Sequence, residues 1–192
     1  MVRYIINFGN FSEYGIKKMI ILGIDPGIAT VGWGVVKYEK GNFRYIDCGT
    51  ITTPSGMRVE RRLFLIHLAL SDIIKRYSPD EISIEELFFN NNQKTAINVS
   101  QARGVILFTA EENGIPLFEY TPLQVKQAIV GYGRAEKKQV MEMTKVFLHL
   151  DSVPKPDDAA DALALAICHG HTRSSKIRGF DTLKYSKKTG GN

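Results

Sequence analysis

Met19-Ile20-Ile21-Leu22-Gly23-Ile24-Asp25-Pro26-Gly27 is the stretch from which the rest of the chain can be ordered. Ile20 to Ile24 is a continuous apolar run, as expected of a strand buried on both faces. Asp25-Pro26-Gly27 ends it in a turn sequence. Met19 opens a far stronger strand signal than Met1, so residues 1–18 read as an N-terminal extension without an assigned role. Downstream, Val31 to Tyr38 reads as a second strand and Glu39-Lys40-Gly41-Asn42 as a hairpin turn. Phe43 to Thr53 reads as a third strand, and Pro54-Ser55-Gly56 breaks the pattern.

Beyond that break the period changes. Leu63, Ile66, Leu70, Ile73 and Ile74 recur at helical spacing between Arg58 and Tyr77, and Ser78-Pro79-Asp80 stops the helix. Ile82 to Leu87 reads as a short fourth strand, followed by the polar loop Asn90-Asn91-Asn92. A helix over Thr95 to Glu112 ends at Asn113-Gly114, and Pro116 to Tyr120 is the fifth strand. Helices are expected at Leu123 to Ile129, Glu136 to Leu150 and Asp157 to His169. Tight connections between the first three strands predict an antiparallel meander, and helical crossovers predict parallel additions to the same sheet. The expected fold is therefore α/β: a mixed five-stranded sheet with helices on both faces, in the element order of the ribonuclease H-like fold.

At 192 residues, 44% hydrophobic and 23% charged, the chain is sized for one domain with a substantial core. Its longest apolar runs, such as Leu163 to Cys168, are far short of the ~20 residues that cross a bilayer, so no membrane role is expected. The N-terminus lacks the order of a secretory signal, and Cys48 and Cys168 make no disulfide framework, so a reduced, cytoplasmic setting is expected. The net charge of +5 is concentrated at one end. Residues 173–192 carry six basic residues against the single acid Asp181, leaving residues 1–172 neutral. The folded domain is placed at 19–172, and 173–192 is expected to be a disordered basic tail. Charge alone therefore does not identify a nucleic-acid partner.

Carboxylates carry the chemistry. Asp25 stands at the carboxyl end of the first strand and Glu85 at or near the end of the fourth, where open sheets bind ligands. Asp158 and Asp161 lie three apart on the last helix and share a face. Individually these acids have ordinary roles: Asp before Pro-Gly is a turn residue, and Asp157 and Asp158 suit a helix start. An acid beside Ile84 in an otherwise apolar strand is costly without a partner, but alternation alone does not choose between Glu85 and Glu86. Convergence of four carboxylates would raise their pKa values unless a cation neutralised them. Oxygen-only ligands favour Mg²⁺ or Mn²⁺, and two such ions suit displacement at phosphorus.

Four segments carry a likeness to a known family: Ile20-Ile21-Leu22-Gly23-Ile24-Asp25-Pro26-Gly27, Ile84-Glu85-Glu86-Leu87-Phe88, Ser100-Gln101-Ala102-Arg103-Gly104 and Asp158-Ala159-Ala160-Asp161-Ala162-Leu163-Ala164. With Val125-Lys126-Gln127 and Gly131, Gly133 and Ala135-Glu136-Lys137, they resemble the RuvC family of bacterial Holliday junction resolvases over about residues 19–172. The resemblance implies an endonuclease that resolves four-way DNA junctions in recombination and repair, with Asp25, Glu85, Asp158 and Asp161 as metal-binding catalytic acids. It selects Glu85 over Glu86. It implies phosphate contacts from Lys126 and Lys137, and stacking of Phe88 on a base, for which a flat ring is required. It also implies a homodimer and cooperation with the RuvA–RuvB branch-migration complex. Asp157 is an extra acid next to the matched pair.

Other conspicuous residues have plainer expectations. Arg103 is expected to support the fold, Cys168 to lie in the core, and His169 and His171 to be structural or surface residues despite their resemblance to a metal pair. Val105-Ile106-Leu107-Phe108 is apolar around the helix, so one side can meet the sheet and another a second subunit. Competing functions are a nuclease for RNA–DNA hybrids, a phosphotransferase of the sugar-kinase type, which needs two such domains, and a junction-binding module without catalysis.

Overall fold

The computed structural model describes residues 18–86 and 93–177. Five strands, β1 (Met19–Asp25), β2 (Thr30–Glu39), β3 (Asn42–Thr52), β4 (Glu81–Glu85) and β5 (Leu117–Tyr120), form one sheet in the order β3-β2-β1-β4-β5. β1, β2 and β3 pair antiparallel, whereas β4 joins β1 and β5 joins β4 in parallel. The helices are α1 (Val59–Tyr77), α2 (Gln93–Glu112), α3 (Pro122–Val130), α4 (Lys137–Phe147) and α5 (Asp157–Ile177). Among the described residues no helix is long and apolar enough to cross a membrane.

Alternation along the strands creates two cores. Leu22, Ile24, Ile82 and Ile84 pack beneath α1 and α2, where Ile66, Leu70, Ile74, Ala102, Ile106 and Ala110 supply the facing surfaces. Met19, Ile21, Val36 and Tyr38 point to the opposite core, with Val125, Ile129, Val140 and much of α5. The run Ala162 to Cys168 is buried around the whole circumference of α5, because the sheet lies on one side and α3 and α4 on the other.

Two glycines let α5 sit against the sheet. A Cβ on Gly23 would fall 1.9 Å from the Ala162 carbonyl oxygen, and one on Gly32 would fall 2.0 Å from that of Asp158. These are backbone contacts, so no side-chain adjustment could relieve them. The acids of α5 are thereby brought down onto the end of β1, since Gly32 is the cross-strand partner of Asp25.

The last helix runs to Ile177, past the expected stop at His169, and Arg173 belongs to it. Burial of Glu81 explains the continuation. His169 is fully enclosed, with Nε2 2.5 Å from Glu81 Oε2 and Nδ1 2.7 Å from the Tyr120 hydroxyl. Arg173, one turn later, places Nη1 2.6 Å from the other Glu81 oxygen. His171 turns to the other side and meets the Ala128 carbonyl at 3.1 Å, between the Phe43 and Phe147 rings. Both histidines are therefore structural. Arg103 likewise ties α2 to β5 through Glu119 at 2.6 Å, and Cys168 is buried. The readings of residues 1–17, of Phe88 and of the tail beyond Ile177 fall outside the described residues.

Candidate active site

The parallel pairing of β1 with β4 sets Ile24 beside Ile84, so the next residues, Asp25 and Glu85, stand together at the carboxyl ends of the two strands. Ile84 points to the α1–α2 core; by alternation Glu85 faces α5, as Ser83 and Glu81 do. Glu86 is exposed. The choice between adjacent glutamates, open from pattern alone, is thus made by strand parity.

Asp158 and Asp161 approach from the first turns of α5, both half-buried. Asp25 records the crowding: its carboxyl is pushed up to about 7 by burial, and then by the charges of Glu85, Asp161 and Asp158. Glu85 is also raised, first by burial and then by Asp161. A cation answers them. Lys137, the first residue of α4, reaches across to put Nζ 2.8 Å from Asp161 Oδ2, and it lowers the pKa of both Asp25 and Glu85. Asp157 turns away, is exposed, and pairs with Lys155 at 2.9 Å.

The cleft has a volume of about 210 Å³ and is lined by the acids Asp25, Glu85 and Asp161 and the cations Lys126 and Lys137. Val125, Val140 and Leu165 contribute to its apolar lining. α3 is held by Thr121, whose hydroxyl accepts from the Gln124 amide at 3.1 Å while the Gln124 side chain accepts from the Thr121 amide at 2.8 Å. Among the described residues, no three acid, His or Cys groups form a ready-made metal cluster. The donor chemistry nevertheless fits a hard divalent cation: all four groups are carboxylates, and Lys137 alone leaves Asp25 with a strongly raised pKa.

Three features were not anticipated from the sequence: the direct Lys137–Asp161 bond, the seating of α5 on Gly23 and Gly32, and the participation of Tyr132 and Gln139 beside Lys137. Only the last had a local signal, Gln139 three residues after Glu136 at a helix start.

A five-stranded β3-β2-β1-β4-β5 sheet with acids gathered at the ends of β1 and β4 and on the last helix defines a ribonuclease H-like fold with an acidic cleft. The family model for the crossover junction endodeoxyribonuclease RuvC matches residues 21–169. The chain belongs to the RuvC family. A crossover junction endodeoxyribonuclease RuvC of Clostridioides difficile (strain 630) is 58% identical over 154 residues, covering 80% of this chain and 91% of the relative. The Thermus thermophilus RuvC structure superposes with a TM-score of 0.78 at 35% identity, covering 82% of this chain and 97% of that one. T. thermophilus RuvC in complex with Holliday junction substrate gives a TM-score of 0.79 at 34% identity, covering 82% and 96%.

Proposed function

We propose that this protein is a structure-selective endonuclease that resolves four-way DNA junctions by paired, metal-dependent hydrolysis of phosphodiester bonds. The observation that carries the reading is the meeting of Asp25, Glu85 and Asp161 beside Lys137 in one cleft, with Asp158 near enough for its charge to act on Asp25. In this reading the four carboxylates hold Mg²⁺, two ions per site, with Mn²⁺ able to substitute. When bound, the metal supplies activation of a water and stabilisation of the departing 3′ oxygen.

The chain's own residues do the rest. Asp25 and Glu85, anchored on two paired strands, give the cleft a rigid floor. Lys137 brings positive charge to the cleaved phosphate, where charge grows in the transition state. Lys126, which lines the same cleft, holds a neighbouring phosphate. Two strands of like polarity must be cut, and a twofold homodimer provides two equivalent sites. The exposed apolar side chains Phe64, Leu68 and Phe108 on α1 and α2 support this, Phe108 being 60% exposed. Cooperation with the RuvA–RuvB branch-migration complex and a cytoplasmic location belong to the same reading, on the strength of the family likeness.

The test is cleavage of a synthetic four-way junction with Mg²⁺, compared with linear duplex and RNA–DNA hybrid. Symmetric nicks in two opposed strands, and little cutting of the other substrates, are expected. Equal cutting of hybrid or duplex would remove the junction assignment.

Phe88 is assigned to stacking on an unpaired base at the crossover. Phe88→Ala should then melt near the parent temperature while losing ~1–3 kcal/mol of interaction with the junction. Phe88→Trp should recover more single-turnover cleavage than Phe88→Leu; equal rescue by Leu would make the residue a packing element.

A further inference from the structure

Lys137 lies at the start of α4, and its neighbours there are tied together by one amide. Gln139 Oε1 accepts the Glu136 backbone N–H at 2.9 Å, which closes the first turn of the helix around the residue that precedes Lys137. The same oxygen accepts a second hydrogen bond, at 2.8 Å, from the hydroxyl of Tyr132. Tyr132 belongs to the loop between α3 and α4, which joins the helix bearing Lys126 to the helix bearing Lys137. That loop is pinned at its far end by Ala135, which is buried, and at its near end by Gly131, the left-handed cap of α3 at φ 91°.

A glutamine at this position can rotate to water, because Gln139 is exposed. With only the Glu136 amide to hold it, the side chain has a second donor-free lone pair and competing rotamers. The Tyr132 hydroxyl fills that lone pair from a rigid ring with few rotatable bonds. Tyr132 is 47% exposed, so packing alone does not account for its position.

We propose that Tyr132 is a positioning residue for Lys137: through Gln139 it locks the first turn of α4 so that the ammonium is delivered to Asp161 and the cleaved phosphate. The inference rests on the reading of Lys137 as the cation beside that phosphate, and the experiment separates the two. Single-turnover cleavage, junction affinity and melting temperature are measured for the full-length parent, Tyr132→Phe, Lys137→Met and the double variant. Tyr132→Phe keeps the ring and loses only the donor. It should cut about threefold to tenfold more slowly, the range expected for one neutral hydrogen bond, with affinity and melting temperature unchanged. Lys137→Met should be slower still, and adding Tyr132→Phe to it should cost nothing further, since the lysine through which Tyr132 acts is gone. Parent-rate cleavage by Tyr132→Phe, a parallel loss of affinity, or a slowing that persists in the Lys137→Met background would overturn the positioning role while leaving Lys137 in place. Parent-rate cleavage by Lys137→Met would instead remove the role of the lysine itself, and the inference with it.

Discussion

Asp25→Asn should lower the single-turnover cleavage rate by roughly a thousandfold, about 4 kcal/mol of barrier, while junction affinity stays level or tightens. The amide keeps the shape of the side chain but is a neutral and poorer metal ligand. It also removes one negative charge from a cleft that must accept phosphates. The substitution has a second, separable consequence. Because Asp25 is pushed up to about 7, above its ordinary value of 3.8, the metal-free native state holds this proton more tightly than the unfolded chain does. Stability without metal should therefore be highest below about pH 4 with respect to this group, and be lost as pH rises toward 7. Asn cannot titrate, so in chelator the Asp25→Asn protein should out-melt the parent at pH 8 by an amount on the order of a few kcal/mol, the difference shrinking toward pH 4. Saturating Mg²⁺ should narrow the gap, because it stabilises only the parent's full ligand set. Retained Mg²⁺-dependent cutting by a well-folded Asp25→Asn variant would end the metal assignment; a pH-independent difference in melting would end the account of Asp25 as a strained carboxylate.

Glu81→Ala should be the most damaging change away from the cleft. Glu81 is buried at the start of β4 and bonds His169 with one oxygen and Arg173 with the other. Removing it takes the Glu81 contact from Nε2 of the enclosed imidazole and one partner from Arg173, a loss of ~3–5 kcal/mol and a fall in melting temperature on the order of 10 °C. Glu81→Gln keeps an acceptor and the side-chain volume, and should cost less. At a temperature where Glu81→Ala remains folded, cleavage should stay within a few-fold of the parent, since Glu85 is still held by the pairing of β4 with β1 and β5. A melting temperature unchanged from the parent would show that the network contributes nothing to stability. Loss of cleavage in the folded variant would mean that it acts on the site.

The order of strands and helices was readable from the chain because it is written in local periodicity. The apolar run Ile20 to Ile24, the Asp25-Pro26-Gly27 turn and the helical spacing of Leu63, Ile66 and Leu70 each need only their neighbours to be interpreted. Helix ends were less legible. α5 continues to Ile177 because Arg173 finds Glu81, a partner far away in sequence that no local signal announces.

The acids themselves were legible as residues, by motif, but not as a site. Whether Glu85 or Glu86 faces the cleft depends on the parity of β4, which the burial of Ile82 and Ile84 against α1 and α2 decides. Whether Asp158 and Asp161 reach Asp25 depends on α5 lying on bare backbone at Gly23 and Gly32. The Lys137–Asp161 bond joins two helices whose docking comes from packing, and Tyr132 meets Gln139 only because the loop before α4 folds back on the helix start. By itself the sequence determined the elements, their order and the supply of carboxylates, since these follow from short-range sterics and hydrophobic period. The tertiary structure alone decided which charges meet, because Coulomb energies and desolvation depend on distances between segments that packing brings together.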